Sequence, residues 1–448
     1  MAKKSIHNLK IEQLRYPDRG IAFLDEKEVI VKHGLPGQLV EAECTRKRKQ
    51  KIGRILHVMQ HAPEEITPSC PHFGVCGGCS FLNIPYEYEL ELKRKMAAQL
   101  LKDFWQGDIP PVVPAPYPTG YRNKMELSFG DHSKNGGLAL GIRKRNLYYE
   151  VAVPSECALI PDDFKALAIS TLEYFRQTSE TFYHRTRHTG TLRYLVLRRG
   201  EFTGELLVNL VTTAGLDKTH LEKWMTKLLA LPLKGKIVGI LHTVSDALAD
   251  AVVPEDVHIL WGRGHFYEKI CGLTFSISTF SFFQTYSAGA ELLYRTVAEF
   301  AGQAEKIYDL YCGTGTIAQI LAFYAKEVVG IELVPEAITA AKESALANGI
   351  NNCRFIAGDV LKVLDENVLT PPNVLVLDPP RDGIHPKALG KLIALGASRI
   401  VYVSCKPTSL ARDLPTFIEG GYRVAALRLH DMFPRTPHME TVCLLDKY

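Results

Sequence analysis

The segment Lys306–Thr316, KIYDLYCGTGT, decides how the C-terminal half of this chain is read. An apolar run ends abruptly at two glycines one residue apart, the mark of a buried strand followed by a tight turn. The pattern of an apolar run with a polar end recurs in VVGIEL (Val328–Leu333), CRFIAGD (Cys353–Asp359), NVLVLDPP (Asn373–Pro380) and RIVYVSC (Arg399–Cys405). Helix-forming stretches separate these runs. Continuous apolar strands alternating with helices predict a doubly wound, Rossmann-like α/β sheet over residues 270–448.

Ligands of such sheets bind beyond the carboxyl ends of the strands. Gly313 and Gly315 allow close backbone approach there, and Glu332 ends the second strand, where a carboxylate grips ribose hydroxyls. Asp359 and Asp378 end the third and fourth strands. The glycines do not form G-x-G-x-x-G, and no Walker lysine follows them. A nucleoside without a pyrophosphate fits this edge, which points to S-adenosylmethionine.

Cys405 tops the fifth strand, where a buried structural cysteine is out of place. An ordinary thiol is only about 3% thiolate at pH 7, and Lys406 or Arg381 is expected to raise that fraction. A thiol beside a methyl donor suits methylation at C5 of a pyrimidine. That carbon is a poor nucleophile until a thiolate adds to C6, and a base must later remove the C5 proton. Glu440, in the apolar stretch TPHMETV (Thr436–Val442), is the expected base.

The front of the chain differs. Residues 1–60 carry 13 Lys/Arg against 7 Asp/Glu, so the whole net charge of +4 originates there. The excess peaks at TRKRKQK (Thr45–Lys51), where Arg46, Lys47, Arg48, Lys49 and Lys51 are candidate contacts to a polyanion such as RNA. Short β-branched runs between Gly and Pro turns predict a small OB-like β-barrel over 1–61. Residues 62–269 form a mixed central domain in which 82–118 is expected to pack on the C-terminal domain. Cys70, Cys76 and Cys79 cluster in CPHFGVCGGCS, which argues for a metal or iron–sulfur site, and zinc competes for it. His72 lies close but is expected to be a packing or solvated residue. No run is long and apolar enough to span a bilayer, and no secretory leader is apparent, so a cytoplasmic protein is expected.

FSFFQ (Phe280–Gln284), DLYCGTG, DPPRDG, SCKP and HMET stand in the order found in RNA uracil-C5 methyltransferases of the ribosomal RNA type, which the chain resembles along essentially its whole length. The resemblance implies a TRAM-like barrel in front, Cys405 as nucleophile and Glu440 as proton acceptor. It implies S-adenosylmethionine contacts from Gln284, Tyr311, Glu332 and Asp378, and Phe282 stacking on a flipped base. It further implies Cys157 as the fourth ligand of a [4Fe-4S] cluster with Cys70, Cys76 and Cys79. YRNKMELSFG (Tyr121–Gly130) and LRYLVLRRG (Leu192–Gly200) resemble family strands and are expected on the RNA-facing side. The expected substrate is 23S rRNA, with the T-loop uridine of tRNA as the nearest alternative. A rival of another class is a non-catalytic RNA-binding protein with a degenerate methyltransferase fold. Lys406 stands where the family usually has Asn, which alters local contacts to the uracil.

Overall fold

The N-terminal segment folds as strands β1 (Ser5–Lys10), β2 (Gln13–Arg15), β3 (Arg19–Leu24), β4 (Lys27–Lys32), β5 (Leu39–Lys47) and β6 (Gln50–Gln60). They make one six-stranded sheet in the order β1-β5-β6-β4-β3-β2, antiparallel except for β4–β6. The expected OB-like barrel is therefore a six-stranded sheet, its curvature bringing β1 against β3 as well as β5. Inward-facing Leu9, Val29, Val31, Val40 and Ala42 fill its core, following the two-residue period of half-buried strands. The computed structural model describes residues 4–47, 50–248, 255–365 and 370–448.

After the cysteine-rich loop come α1 (Tyr86–Leu101) and the short β7 (Val112–Val113). The central sheet then assembles from β8 (Lys124–Asp131), β9 (Leu138–Arg143), β10 (Val151–Ala152), β11 (Leu192–Arg199), β12 (Glu205–Thr212), β13 (Lys236–Val244) and β14 (Asp256–Gly262). Its order is β10-β9-β8-β11-β12-β13-β14. Helices α2 (Asp162–Phe175) and α3 (Thr219–Leu229) pack against each other, with Trp224 Nε1 donating to Thr171 at 3.1 Å. A hairpin, β15 (His265–Ile270) and β16 (Leu273–Ser278), lies against β12 and β13. The expected boundary at 269/270 falls at the end of β15, just before the turn, so it divides a single hairpin.

The C-terminal unit runs α4 (Ser287–Ala301), β17 (Ala304–Leu310), α5 (Thr316–Leu321), β18 (Ala325–Glu332), α6 (Pro335–Ala347) and β19 (Cys353–Ala357). It continues with α7 (Val360–Asp365), β20 (Val374–Leu377), α8 (Pro386–Ala394), β21 (Arg399–Ser404), α9 (Pro407–Glu419), β22 (Tyr422–His430) and β23 (Glu440–Lys447). The sheet order β19-β18-β17-β20-β21-β23-β22-β7 reverses direction at β17. Strands β17 to β21 are parallel, whereas β23 runs antiparallel to β21 and β22. This is the doubly wound arrangement whose crevice lies at the switch between β17 and β20.

Two earlier segments are built into this unit. β7 pairs with β22 at the sheet edge, and α1 packs on α9. Leu14, Tyr16 and Leu35 of the N-terminal segment join the same apolar cluster as Met96, Tyr402 and Phe417. The N-terminal segment is thus docked on the C-terminal core through shared apolar side chains.

Lys93 of α1 fastens the assembly. Its ammonium is fully buried, 2.8 Å from Glu89 Oε1 and 2.6 Å from Asp431 Oδ1, and it donates to the Phe433 carbonyl at 3.2 Å. Removing one partner of a buried charge set leaves the others uncompensated. Lys93→Ala should therefore lose about 3–5 kcal/mol in denaturant unfolding. A loss under about 1 kcal/mol, the range of surface pairs, would show that the network contributes little.

Candidate active site at the carboxyl edge of the C-terminal sheet

Strand β17 leads into the glycine turn. Tyr311, Gly313 and Gly315 all take positive φ (66°, 54° and 73°), and the Tyr311 and Cys312 amides donate to the Ile331 carbonyl. A Cβ on Gly315 would lie 2.6 Å from the Phe355 ring, so the turn closes only without one. Glu332 ends β18 and its Oε2 accepts from the Gly313 amide at 3.1 Å, while Oε1 accepts from Val334. Asp359 has a local structural task as well: its Oδ1 accepts from the Lys362 amide at 3.2 Å, at the start of α7.

Register brings the chemical groups together. Strand β23 pairs with β21 so that Thr441 faces Ser404, and the next residues at that end, Cys405 and Glu440, lie close enough for the carboxylate to act on the thiol. Cys405 lies in the two-residue turn between β21 and α9, partly exposed. The adjoining loop DPPRDG is held by Asp413 Oδ2, which accepts from the Ile384 amide and Tyr402, and by Ser409 Oγ, which donates to the Arg381 carbonyl. Arg381 is thereby kept beside the thiol.

Burial pushes the Cys405 thiol up to about 11, helped by the charges of Glu440 and Asp378, and Arg381 only partly opposes this. The direction is opposite to the expected acidification: the low-dielectric setting and two carboxylates outweigh the guanidinium. Burial likewise raises Glu440 well above the carboxylate range, with Asp378 adding to it and Arg381 opposing, and its Oε2 has no hydrogen-bond partner. Asp378 is raised to about 7 by burial.

Asp309, inside β17, was overlooked in the sequence. It is fully buried with no well-formed hydrogen bond to either carboxyl oxygen, the Ala318 amide making only a weak contact. Burial, then Asp378, raises it well above the usual range. A charged residue inside an apolar strand was the signal that could have found it. Asp309, Asp378 and Glu440 form a group of carboxyls that a sulfonium cation would neutralise, and the open space at Gly313 leaves the backbone approachable. The residues present fit S-adenosylmethionine.

The loop after β16 supplies the remaining candidates. Phe282 is 74% exposed, as a residue awaiting a stacking partner would be, and Gln284 reaches Tyr294, whose hydroxyl also feels Asp378 and Glu440. Arg198 props this loop from below by donating to the carbonyls of Ser278, Thr279 and Ser281 at 2.6–3.1 Å. Asn123 Nδ2 donates to the Gln284 carbonyl at 2.9 Å and to Ser287 Oγ at 2.8 Å. The two family-like strands are therefore interior strands of the central sheet: β8 pairs with β9 and β11, and β11 with β8 and β12. Most of their side chains are buried, and Asn123 and Arg198 are buried supports of the site loop.

Cys70, Cys76, Cys79 and Cys157 are each 8% exposed, and the Cys70, Cys79 and Cys157 thiols are each raised by burial and, to a smaller extent, by neighbouring thiols of the four. Burial, the larger cause, pushes Cys79 up to about 12. Backbone amides point at sulfur: His72 at Cys70, and Leu159 and Ile160 at Cys157. Among the described residues no three ligating side chains converge as one metal ion requires. Arg46, Lys47 and Lys51 lie at the β5–β6 tip, where Arg46 pairs with Lys51, and Arg46 and Lys47 are exposed. Arg48 and Lys49 lie outside the described residues.

Fold and site together define an S-adenosylmethionine-dependent RNA methyltransferase, and known proteins agree. The family described as tRNA (Uracil-5-)-methyltransferase matches residues 272–448. An uncharacterized RNA methyltransferase of Clostridium tetani is 44% identical over 447 residues, covering 99% of this chain and 98% of the relative. Another, from Caldanaerobacter subterraneus, is 42% identical over 456 residues and the full length of both. The structure of Pyrococcus abyssi tRNA (uracil-54, C5)-methyltransferase with S-adenosyl-L-homocysteine superposes with a TM-score of 0.77 at 26% identity, covering 98% of this chain and 100% of that one. The chain belongs to the RNA methyltransferases, and its residues 272–448 to the tRNA (Uracil-5-)-methyltransferase family.

Proposed function

We propose that this protein methylates C5 of a uridine in 23S rRNA through a covalent adduct between Cys405 and uracil C6. The observation that carries the reading is the end of the β21–β23 ladder at Ser404–Thr441, which leaves Cys405 and the buried Glu440, whose Oε2 has no hydrogen-bond partner among the described residues, near each other and near Arg381. S-adenosylmethionine supplies an electrophilic methyl group. Cys405 adds to C6 as the thiolate, Arg381 offsetting part of the cost of its charge, and the ring becomes an enolate nucleophilic at C5. Once C5 carries the methyl group, Glu440 removes the C5 proton, the C5=C6 bond re-forms and the thiolate leaves. Gln284, Tyr311, Gly313, Gly315, Glu332, Asp359 and Asp378 line the cofactor side, and Phe282 stacks on the flipped base.

The motif order and the four cysteines support the ribosomal substrate. A second reading, the T-loop uridine of tRNA, is favoured by the likeness to the archaeal tRNA enzyme. Incubating the purified protein with 23S rRNA and with tRNA transcripts, then mapping 5-methyluridine, separates them. Methyl groups in 23S rRNA are expected; methyl groups in tRNA alone would select the second reading.

The four thiols hold a [4Fe-4S] cluster in this proposal. Cysteines that bunch without converging on one point suit a polynuclear centre, and amides aimed at sulfur favour thiolates. The protein prepared without oxygen should be brown, and Cys76→Ser pale and less soluble, because metal-binding free energy is folding free energy in such sites. A colourless wild type with stoichiometric zinc would assign the cysteines to zinc.

The basic tip, in a TRAM-like sheet, contacts RNA phosphates. Neutralising Arg46, Lys47, Arg48, Lys49 and Lys51 together should weaken RNA binding. The log–log salt slope should fall by about 0.7–0.9 for each phosphate that the variant leaves unneutralised. An unchanged slope would place the tip in solvent.

A further inference from the structure

The proposed reaction, on which this inference rests, releases one proton per turnover, because a methyl group replaces hydrogen at C5 and the sulfonium charge disappears. Glu440 receives that proton at C5, yet it is 3% exposed and its Oε2 has no partner. A buried carboxylate takes up the C5 proton efficiently only if the proton moves on towards water in the same step, so adduct decay depends on a route out.

Such a route is assembled from opposite ends of the chain. His438, two residues before Glu440, is partly exposed. Its Nδ1 lies 3.1 Å from the hydroxyl of Tyr16, and the two rings meet edge to face at 6.1 Å. Tyr16 follows β2 and is 7% exposed, packed with Leu14 and Leu35 into the C-terminal core. Its hydroxyl lies within electrostatic reach of Arg381, Cys405 and Glu440. No other described tyrosine carries both a histidine contact and this proximity to the thiol and the base.

We propose that Tyr16 and His438 are the proton exit of the active site. Glu440 passes its proton to Tyr16 Oη, directly or through one water. As that O–H bond forms, Tyr16 gives its own proton to His438 Nδ1, and the imidazolium releases it to solvent. Both residues act through Glu440 and are positioning residues. Their electrostatics suit the task. Burial pushes the Tyr16 phenol up to about 12, so it stays protonated and able to relay. Burial first, then Arg381, Lys93 and Arg122, lower His438, with Asp18 opposing, so the imidazole is neutral at neutral pH and gives up an added proton readily. The N-terminal sheet then contributes to turnover as well as to RNA binding.

The test follows formation and decay of the protein–RNA adduct by rapid quench, using the full chain and unmodified substrate RNA. S-adenosylmethionine binding by each variant reports folding. Tyr16→Phe should slow adduct decay by about tenfold or more, at the low end of general acid–base effects, and slow formation much less. His438→Ala should show the same split, and added imidazole should restore its decay rate, which a purely structural role would not permit. Decay at the wild-type rate in both variants overturns the relay. Equal slowing of formation and decay also overturns it, and makes Tyr16 a contact to the uracil or the thiol. Wild-type protein that forms no adduct with 5-fluorouridine RNA would instead overturn the covalent reading beneath it, a result that involves neither variant.

Discussion

Cys405→Ala should reduce methyl transfer to background while leaving S-adenosylmethionine binding largely intact, because the thiol attacks the uracil and makes no cofactor bond. Filter binding with labelled cofactor and a methyl-incorporation assay measure the two separately. Substantial residual turnover would remove the covalent mechanism. The wild-type pH profile carries the same logic. The Cys405 thiol is pushed up to about 11 and Glu440 is raised as well, both chiefly by burial. Each must be ionised to act, so both push the optimum upward. At limiting RNA the rate should rise between pH 6 and 8, approaching about tenfold per unit if thiolate formation alone limits it. A flat profile over that range would mean that bound substrate has already lowered the thiol.

Glu440→Gln should have the second large effect and a different signature. The amide keeps the shape and cannot accept the C5 proton, so the reaction should halt after methyl transfer. Turnover should fall by about 10²–10⁴, the usual contribution of a general base. A denaturation-resistant protein–RNA adduct carrying the methyl label should accumulate on a gel. An inactive variant without an adduct would place Glu440 before methyl transfer, as an organiser of the site.

The strand ends of the C-terminal sheet were legible because buried parallel strands read as continuous apolar runs, and the polar residues at their ends stand out. Cys405, Glu332 and Asp378 all stand out that way. Asp309 was legible too, as a carboxylate within such a run, but it escapes a search for strand ends because it does not end its strand. Tyr16 was not legible: its partner His438 lies 422 residues away, and nothing local distinguishes a tyrosine in a β-turn region from a surface one. Arg198 and Asn123 were not legible for a related reason: only the fold shows that they turn inward to hold carbonyls of the site loop. Residues 82–118 were expected to pack on the C-terminal unit, but not that β7 would extend its sheet at β22, because an apolar face does not specify its partner. The raised thiol was missed because adjacency to Lys406 says nothing of where the ammonium points or how dry the turn is.

The most direct test of the account is to incubate the wild-type protein with S-adenosylmethionine and substrate RNA carrying 5-fluorouridine at the target. Fluorine at C5 does not leave as a proton does, so elimination is blocked once C5 is methylated. Digestion and mass spectrometry should then find the methylated fluorouridine nucleotide attached to the peptide containing Cys405. An adduct on another residue, or none with RNA that is methylated when unmodified, would contradict the assignment of Cys405 as the nucleophile.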